Sequence, residues 1–138
     1  MQERQLTEEQ RTSIQTNLKA GMRILTGKHG DSDPADTGKT MEMLQEEIAA
    51  GSIFLLEAVS VLMDCLERAV GWKPVTLVGE KFSGTAMVSP DGAYSTYPEL
   101  VIGKAMRNPG DSNLMSYFNM IRNGPLPPSS PGRYTVLS

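Results

Sequence analysis

Apolar residues are spaced most regularly between Met41 and Val70. Met41, Leu44, Ile48, Gly51, Leu55, Ala58, Leu62, Cys65 and Ala69 follow one another at alternating three- and four-residue intervals, the a/d pattern of a heptad seam. After its first member, one set of seam positions is small (Leu44, Gly51, Ala58, Cys65), which lets another backbone come close. Phe54, Val59, Val61 and Leu66 widen the stripe in its second half. A narrow polar ridge of Glu46, Glu57, Ser60, Asp64 and Glu67 remains. A helix apolar over so much of its circumference must be covered on several sides. The pattern predicts one long buried helix, or two helices meeting at Gly51-Ser52. Unbroken from residue 37 to residue 70, it would run about 51 Å at about 1.5 Å per residue. A compact chain of this size is only about 37 Å across. Either the helix breaks, or a second copy covers the overhang. The expectation drawn is a homo-oligomer, dimer or larger, joined through Leu44, Ile48, Gly51, Leu55, Ala58, Leu62 and Cys65.

Before this stretch, Thr7-Glu8-Glu9-Gln10 is a capping box. It opens a helix whose stripe is Ile14, Leu18, Met22 and Leu25, with Gly27 as the expected stop. The two helical regions are expected to pack as a hairpin.

After Gly71-Trp72-Lys73-Pro74 the pattern changes. Residues 75–78 and 82–88 are rich in β-branched and apolar side chains, and 93–97 pairs back across the turn Ser89-Pro90-Asp91-Gly92. This predicts about three antiparallel strands, too few to be stable without the helices. Residues 98–107 read both as strand (Leu100-Val101-Ile102-Gly103) and as helix. Pro98 at the first position, Glu99 in the first turn, and Lys104 and Arg107 in the last turn favour a short helix. Residues 113–123 predict another, with Leu114, Phe118 and Ile121 on one face. The fold class is therefore α+β. A single domain spans 1–124, and a proline-rich arm spans 125–138. The arm ends in a strand-like run whose Tyr134, Val136 and Leu137 are expected to dock on a neighbour's sheet edge.

Composition narrows the function classes. With 13 basic and 16 acidic residues the net charge is −3, which argues against a nucleic-acid partner held by phosphate attraction. No run is long and apolar enough for a membrane span, and the start of the chain lacks a signal-peptide pattern. A cytoplasmic location, or a virion if the chain belongs to a phage, is the expectation. The single cysteine, Cys65, allows no internal disulfide and no cysteine-based zinc cluster.

Residues 27–37 invite two motif readings. Gly38-Lys39-Thr40 suggests a phosphate-binding loop, but Asp33 stands where that loop needs glycine, and a helix is expected before it. Asp31, Asp33 and Glu42 match three positions of a calcium loop, but Ala35 and Asp36 break it, the latter where glycine belongs. Asp36 or Thr37 capping a helix accounts for the stretch more simply. One histidine, His29, makes no triad, so neither catalytic chemistry nor a cofactor or metal is expected. The function expected is a non-catalytic interaction or assembly protein, with a subunit of a phage or viral particle as one setting. The alternative is a small ligand-binding or regulatory domain, its pocket between helices and sheet lined by Trp72, Tyr94, Tyr97 and Arg107.

Overall fold

A computed structural model describes residues 2–30, 36–79, 83–109, 113–129 and 134–138. Helix α1 (Glu8–His29) begins at the predicted capping box: the Gln10 amide donates to Thr7 Oγ1 at 3.1 Å and the Thr7 amide to Gln10 Oε1 at 2.8 Å. It runs past Gly27 to Gly30. A glycine inside a helix costs only about 1 kcal/mol, and the extra turn carries Lys28 and His29 to carboxylates on the next helix. Helix α2 (Thr37–Ala50) is capped by Asp36, whose carboxylate accepts from the Lys39 amide at 3.0 Å.

The central helical stretch breaks where glycine permits it. Gly51 takes the left-handed conformation (φ 72°), and its N–H and that of Ser52 close onto the last carbonyls of α2. Helix α3 (Leu55–Val70) then starts afresh, with the Glu57 carboxylate accepting from the Phe54 amide at 3.0 Å. Helices α4 (Pro98–Arg107) and α5 (Leu114–Asn123) complete the helical layer. For residues 98–107, the proline start and terminal charges outweigh the β-branched run.

The sheet has five strands in the order β1 (Gln2–Arg4), β2 (Lys73–Val78), β3 (Ser83–Val88), β4 (Tyr94–Thr96) and β5 (Thr135–Leu137). Its first three pairings are antiparallel and β4–β5 is parallel, so the sheet is larger than expected and mixed. The alternation sorts its faces. Met87, Tyr94 and Leu137 pack toward the helices, whereas Val75, Leu77, Ala86 and Val88 form a second core with Tyr97 and Tyr134. Neighbouring strands lie about 4.8 Å apart, which would put the edges of a flat five-stranded sheet about 19 Å from each other. Yet the Tyr134 hydroxyl, beside one edge, donates to Glu3 Oε1 on the other. The sheet must therefore curl strongly, and Tyr134 packs against its second core.

Two surfaces expected to meet other copies are occupied within the chain itself. The seam is not a free surface: Leu44, Ile48, Ala58, Leu62 and Cys65 are buried within one chain. Leu55 is half-buried, and only Gly51 is exposed. By splitting at Gly51, the helical stretch folds back, so that α1, α2, α4 and α5 all contact α3 and cover the seam. Nor is the arm free. The Thr135 amide donates to the Ala93 carbonyl at 2.9 Å, Leu137 is buried, and its carbonyl accepts from Thr96 Oγ1 at 2.8 Å. Tyr134 is half-buried, and Val136 alone of the three arm residues is exposed.

Helices α1 and α3 approach closely at Gly21. A Cβ there would lie 2.9 Å from Val61 Cγ2 and 3.0 Å from the Glu57 carbonyl oxygen. Neither obstacle yields easily, one being a β-branched side chain and the other backbone. Overpacking costs about 1–3 kcal/mol, against about 1 kcal/mol gained from alanine's helix propensity. Gly21→Ala is thus expected to lower stability in urea unfolding, although alanine is the better helix former; a rise would mean the two helices are not in contact there.

Candidate binding cleft

Residues of helices α4 and α5 line a cleft of about 810 Å³. Each helix is fixed from behind. Ile102 and Ala105 of α4 are buried in the main core, as are Phe118 and Ile121 of α5. At the start of α5, Asn113 Oδ1 accepts from the Ser116 amide at 3.2 Å, and Gln45 Oε1 of α2 accepts from the Met115 amide at 3.1 Å. At its far end Arg122 sits over the Phe118 ring, 5.3 Å from its centre, and donates to Asn119 Oδ1.

The facing stripes of the two helices line the cleft. Leu100, Val101 and Ala105 come from α4; Leu114, Tyr117 and Met120 come from α5. The Tyr117 hydroxyl points away, into a buried 2.7 Å hydrogen bond with Thr96 Oγ1. Burial drives its pKa above the ordinary phenol value, with the Thr96 bond opposing, so Tyr117 presents ring rather than acid to the cleft. The rim is polar: Lys104, Arg107, Asn108, Asn113, Ser116 and Ser138. Among the described lining residues there are two cations and no carboxylate side chain.

Of the four residues expected to share a pocket, the structure brings only Arg107 to this cleft. Trp72 is buried among the helices, Tyr97 belongs to the core inside the curled sheet, and the Tyr94 hydroxyl donates to the Pro127 carbonyl. They part because the sheet separates them, Trp72 on one side and Tyr97 on the other. Lys104, Leu114, Tyr117 and Met120 were not anticipated as site residues. The one-turn spacing of Leu100, Lys104 and Arg107 was visible in the sequence, but not that α5 would face it.

A second cleft, of about 580 Å³, does lie between helices and sheet, where Arg11, Asp64, Glu67 and Lys73 surround Leu18 and Met63. Its charges are of both signs, and Asp64 is engaged by Arg68 Nε at 2.9 Å. Such a rim discriminates little between ligands. Ser60, expected on an exposed ridge, is buried beside this cleft.

Cys65 is buried, and burial, with the Asp64 charge beside it, pushes its thiol up to about 12. It packs as a small hydrophobe rather than serving as a nucleophile. Asp31 and Asp33 lie outside the described residues, and the described ones hold no group of three or more His, Cys, Asp or Glu side chains placed for a metal ion. His29 is held at both ring nitrogens, Nδ1 being 3.5 Å from Glu46 Oε2 and Nε2 3.4 Å from Glu47 Oε2. The carboxylates approach opposite edges of the ring, so no single ion could take all three. No helix among the described residues is long and apolar enough to cross a membrane.

Glu47 is the one buried carboxylate of this cluster. Burial works to raise its pKa, but the Ser52 hydroxyl at 3.0 Å and the charges of Lys28 and His29 outweigh it and hold the group below the usual carboxylate range. A carboxyl with a depressed folded-state pKa adds stability above its unfolded pKa, and that stability is lost as pH falls through the folded value. Glu47→Gln is therefore expected to lower the urea midpoint at pH 7 and to flatten the loss of stability between about pH 5 and pH 3. An unchanged acid limb in the variant would show that Glu47 carries none of it.

Comparison with protein-family models, with curated proteins and with solved structures gives no match. The functional reading therefore rests on the geometry of the chain alone.

Proposed function

We propose that this protein is a non-catalytic binding module whose ligand occupies the α4–α5 cleft. The observation that carries this is a solvent-open apolar floor between two helices that are each anchored to the core. Leu100, 51 % exposed, stands at its mouth. Clefts of about 300–1,000 Å³ with mostly apolar floors suit small-molecule ligands. The test is an uncharged naphthylamine dye whose emission shifts to the blue in apolar surroundings. Binding is expected for the native chain, with loss in Met120→Trp, a substitution that fills the cleft from its half-buried side. Circular dichroism would confirm that the variant is folded. Equal dye binding by both proteins would refute the assignment to this cleft.

A second reading, self-association, draws on a different observation. Phe54 and Leu56, at the start of α3, are 78 % and 52 % exposed. Stable interfaces bury at least about 1,000 Å², more than these two side chains supply, so this reading ranks second. Light scattering across concentrations would test it, with a mass above monomer that Phe54→Ser abolishes as the supporting result.

A further inference from the structure

Resting on that reading, we infer that the cleft takes an anionic amphiphile, an acyl chain ending in a carboxylate, with Lys104 and Arg107 holding the head. These two cations stand one helical turn apart, on the stripe of α4 that lines the cleft, so both face the same ligand. Both side chains are exposed, and neither makes an ion pair with a described residue. The carbonyl end of α4 favours cations in its last turn, which explains why lysine and arginine are tolerated there. Their N–H groups face solvent, where a ligand can reach them. The Arg107 guanidinium lies back against Gly103, where a Cβ would stand 3.5 Å from Nη1. A planar guanidinium so placed offers two parallel donors to an oxyanion.

The charge is local. The chain as a whole carries −3 and repels anions at long range, whereas the described lining of this cleft holds two cations and no carboxylate side chain. The floor sets the rest of the ligand. Leu100, Val101, Ala105, Leu114 and Met120 offer no hydrogen bond, and the hydroxyl of Tyr117 is already engaged by Thr96. A nucleotide base or sugar would find no polar partner on that floor, whereas methylene groups lose nothing by lying there. Apolar body and anionic head therefore match the two parts of the site.

The test compares octanoate, decanoate and dodecanoate, below micelle-forming concentrations, with the alcohols of the same length. Each would be titrated by displacement of the uncharged dye. Affinity is expected to rise with chain length by up to about fourfold per methylene. Each carboxylate is expected to bind about tenfold tighter than its alcohol, the advantage of a charge-assisted hydrogen bond, and less so as salt is added. In the Lys104→Gln/Arg107→Gln double variant that advantage should collapse. If carboxylate and alcohol bind alike, or the double variant keeps the difference, the inference about the head fails while the binding module stands. If affinity does not grow with chain length, the acyl body is wrong. If neither the dye nor any amphiphile binds, both readings fall together.

Discussion

Ala58→Glu is expected to unfold this protein rather than to split an oligomer. Ala58 is fully buried on α3, a helix touched by four other helices and by β2. A glutamate there must force its neighbours apart, and it must also leave a carboxylate away from water without a partner. An unpaired buried charge costs several kcal/mol even after relaxation, and overpacking adds about 1–3 kcal/mol. Together they rival the whole stability of a domain, about 5–15 kcal/mol. The expected result is loss of the cooperative thermal transition at every protein concentration, followed by far-ultraviolet circular dichroism. A seam lying between copies would give the opposite: a folded monomer, with dissociation as the only effect. Recovering such a monomer would restore the heptad seam as an interface.

Phe118→Ala carries the next largest effect. Phe118 is the largest of the fully buried side chains, and it fixes the back of α5 against the core that includes α2 and α3. Truncating a buried phenylalanine costs about 3–5 kcal/mol, part lost transfer energy and part cavity. For a chain of this size that is a fall of roughly 10–20 °C in melting temperature. The Arg122 guanidinium also loses the ring it rests on. Because α5 forms one wall of the cleft, dye binding should weaken in the variant even where it remains folded. A loss of stability below about 1 kcal/mol would mean that α5 is held mainly by its other contacts, Gln45 and Ile121 among them.

In the proposed reading, stability and ligand binding lean on the same two helices from opposite sides. The core-facing stripes of α4 and α5 position them, and the outward stripes carry the cleft. Substitutions on the rim, such as those at Lys104 and Arg107, can therefore change binding with little effect on folding, while substitutions beneath the floor change both.

What the sequence determined by itself was local. Thr7 with Gln10 and Asp36 with Lys39 are caps made within four residues, and glycines at 51 and 71 end helices through their own backbone freedom. The proline start and charged end of residues 98–107 decided helix over strand for the same reason, since both act within a single turn. The β3–β4 hairpin was legible from the Ser89–Gly92 turn. The heptad seam was read correctly as buried, but periodicity records only that a face is apolar and not which chain covers it. Breaking at Gly51 let this chain cover its own seam. The arm posed the same ambiguity. Tyr134 to Leu137 carries the pattern of a strand, and it pairs with β4 of the same chain, in a sheet that curls far enough for Tyr134 to reach Glu3. That curl depends on strands distant in sequence, as does the facing of α4 and α5 across the cleft, and contacts of such long range leave no mark in local spacing. Tertiary structure decided them because each requires two surfaces that the sequence specifies separately.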